Sequence, residues 1–135
     1  MALNYHNIYD IRQIKSEYIL LFDLDGTLVD TDLANNSVYR YAIREVMGEE
    51  YLALNKVKRI TRTILQDAIP VSQEQLDRII DIKRRCFHFN LNMTSLMETF
   101  FLLKKHYNHN DCYIVTSAEQ CRADEIINYY NFRKY

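Results

Sequence analysis

Two aspartates one residue apart, Asp23 and Asp25, follow directly on five apolar or aromatic residues, Tyr18 to Phe22, and lead into Gly26 and Thr27. In an extended backbone, side chains at i and i+2 share a side. The two carboxylates therefore face each other and repel unless a cation relieves the charge. Hard carboxylate oxygens suit magnesium, which keeps most of its waters and takes one or two protein carboxylates beside a substrate phosphate. With the charge neutralised, one Asp can attack a phosphorus atom while the other handles the leaving group's proton. A calcium-binding helix-loop-helix loop also opens on Asp-x-Asp, but it requires Gly at its sixth position and Glu at its twelfth, where this chain has Leu28 and Ala34. A plain strand-to-turn junction does not call for both carboxylates together with Gly-Thr. A helix start capped by Asp is disfavoured by Gly26 directly inside it.

The positioning elements can be read outward from this pair. Tyr18 to Phe22 is too short for a helix, and its unbroken apolarity predicts a strand covered on both faces in a parallel sheet. Gly26 lets the chain turn sharply, leaving the carboxylates at the C-terminal end of the strand, where open α/β sheets place ligands. Cys112 to Ser117 repeats the pattern, a short apolar run closing on two hydroxyls. Ser117 and Gln120 have capping-box spacing, which predicts a helix from about 118 to 130 whose free N–H groups favour a phosphate beside Thr116 and Ser117. Between the two runs, Leu33, Val38, Tyr41, Ala42 and Val46 recur at helical spacing up to Gly48, predicting a helix over 32–47. A second helical stretch spans 51–69, ends before Pro70 and carries Lys56, Lys58, Arg59 and Arg62. Lys58 and Arg62 share a face of it, either attracting an anion or simply facing solvent. Ser72 and Gln75 form a capping box opening a third helix to about 89, with Leu76, Ile79, Ile80 and Cys86 inward. Ser95 and Glu98 open another to about His106, with Leu96, Phe100 and Leu103 as its apolar stripe. Ile8, Ile11 and Ile14 suggest a short helix before the first strand.

Composition narrows the class. A chain of 135 residues has room for one domain, or a small core with an insertion. Its 48% apolar and 26% charged residues are those of a globular protein. The net charge of −1 points to neither nucleic acid nor an anionic membrane as a partner, so any attraction for phosphate must be local. No apolar run approaches the ~20 residues of a membrane span, and the first residues lack the apolar block of a secretory signal, so a cytoplasmic location is expected. Cys86, Cys112 and Cys121 are odd in number and lack zinc-type spacing, which fits reduced thiols.

The stretch Asp23-Leu24-Asp25-Gly26-Thr27-Leu28-Val29-Asp30-Thr31, with its apolar lead-in, resembles the first motif of the haloacid dehalogenase (HAD) superfamily, in its phosphatase and phosphomutase branch. The resemblance implies that Asp23 is the nucleophile that becomes an aspartyl-phosphate and Asp25 the general acid/base. It also implies a magnesium ion held by the Asp23 carboxylate and the backbone carbonyl of Asp25. Thr116, with Ser117 beside it, resembles the second motif, a hydroxyl that hydrogen-bonds the transferring phosphoryl group. The implied architecture is a HAD-like, Rossmann-like parallel-sheet α/β core of residues 1–30 and 91–135, incomplete, with an all-helical cap, residues 31–90, that closes over the site. The family's third-motif Lys and fourth-motif acidic pair have no counterpart here, and Arg122, Arg133 and Lys134 take no role from it. An apolar sheet edge is therefore expected to be bare unless a further segment of chain or a second copy covers it. The resulting expectation is a magnesium-dependent phosphohydrolase acting on a small phosphomonoester. The alternative is a catalytically defective remnant of the fold that serves binding or assembly.

Overall fold

The structure, a computed structural model, describes residues 14–135. Ile8 and Ile11 of the suggested N-terminal helix lie outside the described residues, and Ile14 falls in irregular chain. The first apolar run forms strand β1, Leu20–Phe22, and the second forms β4, Cys112–Ile114. They pair in parallel with Leu20 opposite Cys112, Leu21 opposite Tyr113 and Phe22 opposite Ile114. Parallel pairing puts both C-terminal ends at the same edge of the sheet, and the Val115 N–H donates to the Phe22 carbonyl at 2.8 Å, extending the register to the brink of Asp23.

Only one face of this sheet is covered by the described residues. Phe22 is buried, and Leu20, Cys112 and Ile114 pack on the core, whereas Leu21 is 66% exposed and Tyr113 55% exposed on the other side, with Ile19 and Val115 exposed beside them. This corrects the expectation of a strand covered on both faces. Unbroken apolarity in a strand suits two covering layers, and the described residues supply one.

Past β1 the chain turns at Gly26, whose φ of +74° is a left-handed backbone that L side chains rarely adopt. The turn is closed by Leu28 and Val29 N–H groups donating to the Leu24 carbonyl at 3.0 and 3.1 Å. Strand β2, Val29–Asp30, then pairs antiparallel with β3, Ser95–Leu96. Ser95 therefore belongs to a ladder and caps nothing. The following helix, α4, runs Thr99–His106 with Phe100 and Leu103 buried and Leu96 left outside its stripe.

Helix α1 spans Asp32–Met47 and stops at Gly48 in a left-handed C-cap, as its periodicity predicts. Its inward face differs from the predicted one. Ala34, Val38, Tyr39, Ala42 and Ile43 are buried, and Leu33 and Tyr41 are exposed. The predicted helix over 51–69 is broken into a 3₁₀ turn at Leu52–Leu54, an irregular segment over 55–61, and α2, Arg62–Ala68. Helix α3, Gln73–Cys86, opens on the Ser72–Gln75 capping box and buries Leu76, Ile79 and Ile80. A 3₁₀ segment, Phe87–Met93, leads back to β3. Helix α5, Gln120–Tyr129, follows β4 and buries Ala123 and Ile126.

The buried apolar residues form two clusters. One gathers around Leu24, Leu28, Val38, Phe87 and Ile126, beneath the parallel sheet. The other joins Tyr39, Ile43, Leu54, Leu65, Leu76 and Ile79 among the helices inserted between β2 and β3. Burying side chains of this size stabilises by ~1.5–3 kcal/mol each before the entropy of ordering is counted. Among the described residues, no helix is long and apolar enough to cross a membrane.

Candidate active site

Leu24 is fully buried, so the alternation of an extended chain turns Asp23 and Asp25 away from the core. Both line one cleft of about 360 Å³ together with Thr116 and Ser117 at the end of β4. All four residues singled out in the sequence are therefore brought together. Thr116 accepts a hydrogen bond at its Oγ1 from the Ala118 N–H at 3.1 Å. Helix α5 starts two residues later than predicted, with Glu119 as N-cap and no side-chain cap bond, so Ser117 sits in the cleft wall and not at a helix cap.

The two aspartates are held very differently. Asp23 makes no ion pair among the described residues, and one of its carboxylate oxygens accepts from the adjacent Leu24 N–H at 2.7 Å. Asp25 is clasped on both oxygens. Its Oδ1 accepts from the buried Thr31 hydroxyl at 2.6 Å, and its Oδ2 is bonded and ion-paired to the Arg122 guanidinium of α5. Arg59 lies 3.8 Å from the same carboxylate, donates to the Thr31 hydroxyl at 3.0 Å and pairs with Asp32 at 2.8 Å.

Arg59 reaches the cleft because two adjacent buried amides on α1 hold its backbone. Asn36 Oδ1 accepts from the Ile60 N–H at 2.8 Å, and its Nδ2 donates to the Lys58 carbonyl at 2.8 Å. Asn35 Nδ2 donates to the Ile60 carbonyl at 2.9 Å. These bonds compete with helical ones, which is why the segment around 57–60 leaves the helix that its pattern predicted. Lys58 is exposed and Arg62 pairs with Asp77 at the surface, so the cation delivered to the site is Arg59, between them.

Two further cations come from α3. Arg84 forms a bidentate pair with Glu119 at 2.7–2.9 Å across the rim, and its hydrogen bonds hold the Glu119 carboxyl below the usual carboxylate range. Lys83 lines the cleft with its ammonium 4.8 Å from the centre of the Tyr39 ring. Burial, reinforced by the Arg122 charge, lowers its pKa to about 8. Arg122 itself lies over the Phe87 ring, and its Nε is buried with no hydrogen-bond partner among the described residues. Thr31, Arg59, Lys83 and Arg122 are thus the residues that sequence reasoning did not place. Only Thr31 carried a signal, as the last residue of the Asp23–Thr31 motif.

Hard oxygens are available for magnesium at Asp23, whose carboxylate meets no cation among the described residues, whereas the Asp25 carboxylate is already engaged on both oxygens. Among the described residues no group of three or more His, Cys, Asp or Glu side chains could hold a metal ion.

A parallel pair with two Asp at the end of one strand, a hydroxyl at the end of the other and helices inserted after the first defines a class. The fold is that of HAD-superfamily phosphatases and hydrolases, present in part. The chain superposes on a protein from Clostridium difficile assigned as a phosphatase, with a TM-score of 0.72, 20% identity, and coverage of 90% of this chain and 59% of that one. A protein from Lactobacillus plantarum assigned as a phosphoglycolate phosphatase gives a TM-score of 0.67 at 17% identity, covering 90% and 59%. A HAD-superfamily hydrolase of subfamily IA from Geobacter sulfurreducens gives 0.65 at 14% identity, covering 90% and 60%. The chain thus spans about 59% of the length of the structures it resembles, and at these identities the likeness concerns the fold. No family profile matches the chain, and no curated protein does.

Proposed function

We propose that the chain carries the nucleophile side of a magnesium-dependent phosphohydrolase that acts on a small phosphomonoester. The observation that supports it is the contrast between the two strand-end aspartates: Asp23, without an ion pair among the described residues, in the cleft that Thr116 also lines, and Asp25 fixed by Thr31 and Arg122. A nucleophile must be free to move onto phosphorus, whereas an acid/base must be held in place.

In this reading an Asp23 oxygen attacks the phosphorus atom, the bond from phosphorus to the leaving oxygen breaks, and Asp25, which must first take up a proton from solvent, delivers it to that oxygen. Water then attacks the aspartyl-phosphate, Asp25 takes the proton, and inorganic phosphate leaves with Asp23 restored. Thr116 and neighbouring N–H groups hold the phosphoryl oxygens. Arg122 lies where negative charge gathers, and the gain is chiefly electrostatic and positional. The Asp23 carboxylate and the Asp25 backbone carbonyl would hold the magnesium ion, which when bound offsets the charge of substrate and carboxylates. The inserted helices, residues 31–90, serve as a cap that shields the site from water.

Asp23→Asn is the direct test. Turnover of a generic phosphomonoester should disappear while far-UV circular dichroism and the urea midpoint stay unchanged. Turnover equal to that of the parent chain would refute the assignment, and a parent chain with no turnover would favour a binding or assembly role.

A further inference from the structure

Four cations face the cleft, and three of them already have a carboxylate partner. Arg84 is tied to Glu119, Arg122 to Asp25, and Arg59 to Asp32. Lys83 is the exception: no carboxylate lies within ion-pair distance of its ammonium among the described residues. Its ammonium lies over the Tyr39 ring. An ammonium half-withdrawn from water beside three guanidinium groups is poorly compensated, and burial first, then the neighbouring guanidinium charges, lower its pKa. Glu119, the carboxylate whose charge favours its protonated form, is occupied by Arg84.

We infer that Lys83 is a specificity residue that receives a second anionic group, a carboxylate or a second phosphate, on the phosphomonoester held at Asp23 and Thr116. The inference rests on the phosphohydrolase reading for the first phosphate but not on its chemistry. A cleft of about 360 Å³ is at the small end of ligand sites. A ligand with its two anions a few bonds apart therefore meets the strand ends and α3 together. The second anion supplies the counter-charge that Lys83 lacks, and a ligand with one anion leaves it unpaired. Lys83 would discriminate through binding and would not enter the chemical step.

The test is equilibrium titration of the full chain, in magnesium-containing buffer, with three unreactive probes: methylphosphonate, phosphonoacetate and methylenediphosphonate. At least one of the two doubly anionic probes should bind ten-fold or more tighter than methylphosphonate. Lys83→Met should remove that preference while leaving methylphosphonate affinity unchanged, and Lys83→Arg should restore most of it. Which probe is favoured distinguishes a carboxylate from a phosphate as the second group. A preference that survives Lys83→Met, an equal loss for all three probes, or no binding of any probe would overturn the inference. Preference without turnover of the corresponding phosphomonoesters would instead count against the phosphohydrolase reading and leave the second-anion site standing. Turnover indifferent to a second anion would do the reverse.

Discussion

Replacing Lys83 with Met should stabilise the protein at neutral pH. The methionine keeps an apolar stem against Tyr39 and removes a charge that the fold compensates badly. The folded-state pKa of about 8, against an ordinary 10.5, sets a ceiling of about 3 kcal/mol on the cost of keeping Lys83 charged. Because the side chain is only partly withdrawn from water, screening reduces the expected gain to ~1–2 kcal/mol. The pH dependence fixes the cause. Below pH 8 both folded and unfolded chains carry the proton, and the full cost is present in the parent. Between about pH 8 and 10.5 the folded parent has released its proton while the unfolded chain still holds it, so the parent regains stability as pH rises. The advantage of the Met variant should therefore be largest at pH 7 and shrink towards zero by pH 10.5. Urea unfolding followed by far-UV circular dichroism, at pH 7, 9 and 10.5, measures it, with other titrations shared by the two chains. Equal midpoints at pH 7, or an advantage that persists undiminished at pH 10.5, would refute the reasoning.

Asn36→Ala should cost ~1–3 kcal/mol in urea unfolding, since the Ile60 N–H loses its buried acceptor. It should also lower phosphomonoester turnover by releasing Arg59. Arg122→Met should reduce turnover ~10²–10³-fold, the loss typical of one charge-stabilising donor, while a steady-state assay with unchanged turnover would remove Arg122 from the mechanism. Magnesium should bind weakly by calorimetry to the chain alone and more tightly with a metal-fluoride phosphate analogue, which adds an oxygen-like ligand. Tight binding without the analogue would point to acidic ligands other than Asp23.

The part of the site that the sequence makes legible is the part whose chemistry demands fixed residue types at fixed short spacing. Asp23, Asp25 and Gly26 sit within four residues, and Thr116 closes an apolar run of the same kind. Ser72 is legible too, because a capping box is satisfied within its own turn. The same spacing misleads at Ser95, which pairs with Asp30 across β2 and β3, and at Ser117, where Thr116 takes the local N–H. In each case a partner outside the turn, or one residue earlier, offers the backbone a competing bond. The predicted helix over 51–69 fails for a related reason: the amides of Asn35 and Asn36 lie more than twenty positions away. Arg122 is the clearest limit. Its partner Asp25 is 97 positions distant, and nothing in the residues around Arg122 marks it as the cation for that carboxylate.

Helix α1 contributes Ala34 and Val38 to one apolar cluster and Tyr39, Ala42 and Ile43 to the other. Consecutive residues Val38 and Tyr39 straddle the divide, within one unbroken run of helical hydrogen bonds. Neither cluster can melt while α1 stays intact without exposing half of a helix's buried face, and α1 cannot fray without loosening both. The two halves of the molecule are thus welded into a single thermal unit, and heating should meet one calorimetric peak where two separable lobes would give two.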